Sequence, residues 1–253
     1  MGYFIHHDSM NQYLGQLKSQ YRIFGPKYLD QKGAFSDTEV VGYGEIDDYD
    51  QLVWDQKSAY SPKEIFYPIR ETLFYFLKDK VEVPQIDTKP ILLFLRPCDL
   101  NGIKRLDTIF LKNGQEVDFY YLRRRELLKT VLIECVEGFD SCFCVSMGAN
   151  KADDYDSCIR VTEEGVLWHD RTEDEGFLGH LQEQAEAVEF TLRFIEENKV
   201  KVTIPAVDLV TPAVFEHPLW KEYTERCIAC WRCNTSCITC SCFTMQDALL
   251  GEA

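Results

Sequence analysis

Ile91-Leu92-Leu93-Phe94-Leu95-Arg96-Pro97-Cys98-Asp99 decides the fold. Five apolar residues without polar alternation read as a strand buried on both faces. Arg96-Pro97 ends it, and Asp99 is placed to cap a helix whose buried stripe is Ile103, Leu106 and Phe110. A second run of this kind, Thr130-Val131-Leu132-Ile133-Glu134-Cys135, lies beyond a short DFYYL segment and the basic run Arg123-Arg124-Arg125. Strand, helix and strand in this order predict α/β architecture with neighbouring parallel strands. Cys98 and Cys135 then fall at the carboxyl ends of those strands, the edge where open α/β sheets bind ligands. Cys142 and Cys144 follow in GFDSCFCVSMG and can fold back over the same edge. The four form a second candidate thiolate group, for another cluster or a structural metal. The alternative is plain packing, because buried cysteine is a common core residue. Cys158 has no partner at useful spacing and reads as structural.

The densest chemistry lies further on, in CIACWRCNTSC. Cys227, Cys230 and Cys233 are separated by gaps of two residues, and Cys237 follows after a gap of three. This spacing wraps a chain around an iron–sulfur cubane, whose irons must be reached from one side by a tight loop. Zinc more often takes two separated CxxC pairs, each supplying two legs of a tetrahedron. Cys240 and Cys242 come directly after, so residues 227–242 hold six of the chain's 11 cysteines.

Toward the N-terminus, the first twenty residues predict a helix with Ser9 as cap and Tyr13, Leu14 and Leu17 on one face. Residues 20–55 read as β-rich, with strands in TEVVGYGEI and QLVWD. Gly42-Tyr43-Gly44 begins like a dinucleotide fingerprint, but Asp47 stands at the third glycine, an acid where a pyrophosphate would sit. Ser61-Pro62-Lys63-Glu64 predicts a helix start, with Ile65, Ile69, Leu73 and Phe76 as its buried face. Region 151–215 reads as acidic turns and short strands, with a helix from Leu178 to about Ala187. Pro212 and Pro218 place a boundary near 216–220, where Trp220 and Tyr223 are expected to pack the cysteine module onto the larger domain.

A net charge of −15 argues against a nucleic-acid binder. No basic-then-apolar leader begins the chain, and no apolar run is long enough to span a bilayer. Eleven cysteines at ligand-like spacings without such a leader imply a reducing cytoplasm and metal ligation rather than disulfides. No acid–base or nucleophile constellation stands out, so catalysis by this chain alone is not expected.

Taken together, FSDTE (35–39), SPKEI (61–65), ETLFYF (71–76), RPCDLNGIKRLD (96–107), VLIEC (131–135), CFCVSMGANK (142–151), HPLW (217–220) and CSCFTMQD resemble the iron–sulfur electron-transfer subunit of anaerobic sulfite reductase. A related group, the beta subunit of cytoplasmic nickel–iron hydrogenases (sulfhydrogenases), shares the RPCDL, CFC and ferredoxin-like elements. The resemblance implies an electron-transfer role carried by 4Fe-4S clusters. In the sulfite reductase case the chain relays electrons from an NADH-oxidising subunit containing FAD to a sirohaem subunit that reduces sulfite to sulfide. The alternative is the same relay in a soluble nickel–iron hydrogenase.

The resemblance also implies an α/β (mixed α+β) domain over 1–218 and, over 219–253, the first half of a two-cluster ferredoxin-like module. The family continues into a second CxxCxxCxxxC run, so this module is expected to be truncated. In such modules the fourth cysteine of each run ligates the other cluster. Cys227, Cys230 and Cys233 are then ligands of one cluster, and Cys237 belongs to a second unless Cys237, Cys240 or Cys242 closes the first locally. The pattern is departed from at Trp231, where the family has glycine, and at Ile238, where it has proline.

Overall fold

A computed structural model describes residues 2–171 and 185–248. Its strands are β1 (Gly2–His6), β2 (Arg22–Leu29), β3 (Val40–Glu45), β4 (Tyr75–Leu77), β5 (Lys80–Glu82), β6 (Ile91–Leu95), β7 (Leu128–Ile133), β8 (Ser157–Val161), β9 (Gly165–Asp170) and β10 (Glu186–Val188). Its helices are α1 (His7–Gln20), α2 (Lys63–Phe66), α3 (Pro97–Leu111), α4 (Phe119–Arg125), α5 (Pro218–Arg226) and α6 (Arg232–Ser236).

Eight strands make one sheet in the order β10-β1-β9-β8-β7-β6-β2-β3, while β4 and β5 form a separate hairpin. The middle is parallel: β2 pairs with β6, β6 with β7 and β7 with β8. In that register Leu95 lies opposite Leu132, so β6 and β7 end together. The flanks are antiparallel, β3 on β2, and β9, β1 and β10 beyond β8. Among the described residues, no helix is long and apolar enough to cross a membrane.

Strand alternation explains the continuous apolar run. Leu92 and Phe94 enter one core with Tyr13, Leu14 and Leu17 of α1 and with Trp168. Leu93 and Leu95 enter the other with Leu100, Ile103 and Leu106 of α3, Tyr121 of α4 and Phe66 of α2. Each of these β6 leucines is fully buried, worth roughly 1.5–3 kcal/mol apiece. A polar residue at any of them would face a core rather than water.

Several local expectations are corrected. The first helix begins at His7, with His6 at the N-cap position and no side-chain cap, because β1 pairs with β9; Ser9 lies inside it. QLVWD is not a strand: it leaves a 3-10 turn, and Val53 N–H donates to Pro26 O at 2.8 Å. The helix after Ser61 stops at Phe66. Pro68 is the cause, since it lacks an N–H and drives the preceding residue out of helical space; Tyr67 sits at φ −131°, ψ 80°. Ile69 and Phe76 are therefore exposed rather than core, and Tyr75–Leu77 is a strand. Asp99 is the third residue of α3 rather than its cap, and its carboxylate accepts from Arg96 N–H at 3.4 Å. Most of the helix expected over 178–187 lies outside the described residues, and its last residues, Glu186 and Ala187, belong to β10.

Candidate metal–thiolate site

The parallel register of β6 and β7 brings Cys98 and Cys135 to one sheet edge. Cys98 is the second residue of α3. It is open to solvent on one side yet densely surrounded, and that crowding, with the charges of Asp99, Cys144 and Cys135, pushes its thiol well up. Cys135 is half-buried; burial raises its thiol, and Cys144, Cys142 and Asp99 add to this against Arg96. Burial also raises Cys144, and Cys142 raises it further. The four thiols thus share one electrostatic neighbourhood. They are not gathered into a ligand set: among the described residues, no three His, Cys, Asp or Glu side chains are grouped to hold a metal ion.

The loop bearing Cys142 and Cys144 is tied down by Asn198. Its Oδ1 accepts from Val145 N–H at 2.8 Å and from the Cys144 thiol at 3.4 Å. The backbone N–H of Ile195 donates to Cys135 O at 2.8 Å, holding the same segment against the end of β7. Asn198 is buried, and its Nδ2 has no hydrogen-bond partner. A methyl on Gly138 would approach both that nitrogen and Cys142 Cβ, at 2.8 and 3.5 Å, which places the orphan donor near Cys142. An unpaired buried N–H costs about 1–3 kcal/mol, so this donor is available to an acceptor near Cys142.

The cysteine run begins where α5 ends, at Cys227. Ala229 and Trp231 then take left-handed backbone conformations, φ 54° and φ 60°. Left-handed residues between successive cysteines reverse the chain so that it curls, as a cubane loop must. Trp231 stands where the resembling family has glycine, and a left-handed position is a reason to have glycine there. The Ala229 N–H points at Cys227 Sγ, 3.4 Å away. Cys237 Sγ lies 3.2 Å from Thr239 Oγ1. Burial opposes the Cys237 thiolate, but that hydroxyl, the N–H groups of Thr239 and Cys240 and the Lys63 charge outweigh it, so its pKa is lowered. Cys242 is raised, chiefly by its bond with Cys240. Donor chemistry and N–H···S contacts suit an iron–sulfur ligand loop, although no three thiols of this run are grouped to hold a metal ion either.

The run is seated on the sheet domain by its second half. Lys63 donates to the carbonyls of Asn234 and Cys240, and Tyr67 Oη to that of Ser241. Ile238 packs against α3 at Gly102, and Arg232 lies over the Tyr60 ring. Trp220 and Tyr223, expected to make this contact, are 50% and 55% exposed. They lie on α5, which buries no residue.

Cys158 is buried in β8, its sulfur 3.9 Å from His169 Nδ1, and burial pushes its thiol up to about 12. From sequence, Lys63 reads as part of a helix start and Arg96 as a strand end, and neither they nor Gly102 or Asn198 read as part of a site. Only Arg96 carried a signal, a charge directly abutting a wholly apolar strand.

No family model matches the chain, and no solved structure matches it. It is 27% identical, over 255 aligned positions, to a protein of Pyrococcus furiosus named sulfhydrogenase 2 subunit beta; the alignment covers 96% of this chain and 73% of that one.

Proposed function

We propose that this chain is an iron–sulfur electron-transfer subunit of a multi-subunit oxidoreductase in the cytoplasm, with a nickel–iron hydrogenase as its catalytic partner. One observation carries the reading: the similarity to a sulfhydrogenase beta subunit runs through nearly the whole chain, cysteine run included. It favours hydrogenase over sulfite reductase, the reading in which FAD and sirohaem subunits flank this one; that reading rests on sequence motifs alone.

In this proposal Cys227, Cys230 and Cys233 hold a 4Fe-4S cluster, with Cys237, Cys240 or Cys242 as candidates for its remaining ligand. Cys98, Cys135, Cys142 and Cys144 are candidates to hold a second. A bound cluster supplies one-electron acceptance and donation. The chain's part is to aim N–H groups at the sulfurs, as Ala229 does at Cys227, and to limit solvent access, both of which tune potential.

Anaerobic purification of the chain with its native partners tests the reading. Nickel in the partner and hydrogen-dependent reduction of this chain are expected. Sirohaem without nickel would overturn the hydrogenase assignment, and an iron-free chain would overturn electron transfer itself.

A further inference from the structure

Two buried residues among those described carry a positive charge, Lys63 at 5% and Arg96 at 6% exposure. Neither forms an ion pair with a carboxylate. Lys63 Nζ reaches the carbonyls of Asn234 and Cys240, the latter at 3.1 Å, and lies 5.9 Å from the Tyr67 ring centre. Arg96 Nη2 donates to the carbonyls of Trp54 and Gln56 at 3.0 and 2.7 Å, with its guanidinium 5.0 Å from the Phe139 ring centre.

A buried cation without an ion-pair partner is expensive to desolvate; the Arg96 charge favours ionised Asp99, but burial leaves that carboxyl raised. The half-buried arginines here are paired, as Arg160 is with Glu134 and Arg125 with Asp107, whereas half-buried Lys27 is held by neutral oxygens of Glu45 and Gln51. What distinguishes Lys63 and Arg96 is their burial and a cysteine group beside each. Lys63 Nζ bonds the carbonyl of Cys240, and Arg96, two residues before Cys98, lies over the ring of Phe139, whose carbonyl accepts from Cys142 N–H at 2.9 Å; their charges favour the thiolates of Cys237 and Cys242, and of Cys98 and Cys135. A cubane with thiolate ligands is net anionic in both of its one-electron states, and more so when reduced.

We propose that Lys63 and Arg96 are built-in counter-cations of two separate metal–thiolate centres, Lys63 for the 227–242 segment and Arg96 for the Cys98 group. This rests on the cluster reading above. Each favours the more negative, reduced state and so raises the potential of its own centre. They are positioning residues, acting on potential through charge rather than by ligation.

EPR-monitored redox titration of the anaerobically purified full chain tests this. Lys63→Gln is expected to move one cluster signal to a more negative midpoint, and Arg96→Gln the other. Lys63→Arg and Arg96→Lys should return toward wild type. Tyr67→Phe removes a neutral donor to the same segment and should leave the midpoints in place. Unchanged midpoints in both charge-removing variants would overturn the proposal, as would a Tyr67→Phe shift as large as that of Lys63→Gln. If Lys63→Gln holds no cluster, retention in Lys63→Arg supports the charge role and loss in both overturns it. A single signal that ignores Arg96→Gln overturns the Arg96 half. An iron-free wild type would instead overturn the cluster reading itself.

Discussion

Ile238 occupies the space that a side chain on Gly102 would need: a Cβ there would lie 2.1 Å from Ile238 Cγ2. Gly102 is in the middle of α3, where replacing glycine with alanine ordinarily gains about 1 kcal/mol. Here Gly102→Ala should reverse that sign and loosen the cysteine segment from the sheet domain. Thermal unfolding with limited proteolysis around 227–248 checks it. The double variant Gly102→Ala, Ile238→Ala should recover most of the loss, because the methyl then has room.

Trp231 and Ala229 hold left-handed backbone without being glycine, at a cost of about 1–2 kcal/mol each. Trp231→Gly should therefore leave stability unchanged or raise it by up to about 1 kcal/mol, after the added freedom of the unfolded chain is subtracted. Trp231→Val should lower it, since a branched Cβ tolerates that conformation least. Denaturant midpoints of the three proteins decide the order.

Glu134, its side chain 4% exposed, receives both Arg160 bonds, at 2.6 and 2.7 Å, and the Arg193 N–H at 2.8 Å. Burial works against its charge, but these partners outweigh it and hold the carboxyl below its ordinary 4.5. A depressed folded value stabilises the protein above the unfolded value and is lost as pH falls through the folded one. Glu134→Gln should cost about 2 kcal/mol at neutral pH. The gap from wild type should narrow as pH drops below 4.5, measured by urea unfolding across pH.

In metal-free protein, iodoacetamide should label Cys237 ahead of its neighbours, because its thiolate is favoured. Cys158, buried and pushed up to about 12, should stay unlabelled until the protein unfolds. Timed alkylation with peptide mass spectrometry reads both, and early labelling of Cys158 would contradict its placement in the core.

The parallel heart of the sheet was legible because Ile91–Leu95 and Val131–Ile133 are apolar on both faces, and a strand buried on both sides can hardly be written otherwise. The helix after Ser61 was misjudged because its start signals were weighed and Pro68, its stop, was not. How the cysteine run is seated was hidden for a different reason. It depends on a lysine that turns inward and a glycine that leaves room for Ile238, just as the Cys142–Cys144 loop depends on Asn198, far from it in sequence. Each is a tertiary fact with no periodic signature. Trp220 and Tyr223, expected to dock the module, stay exposed, and the contact uses the small residue Gly102.

Iron and acid-labile sulfide per chain, measured on anaerobically purified protein together with EPR of the reduced state, test the central claim most directly. The account expects a brown protein with about four irons and four sulfides for one cubane, or about eight of each if the Cys98 group holds a second. A colourless protein containing zinc and no sulfide would contradict it.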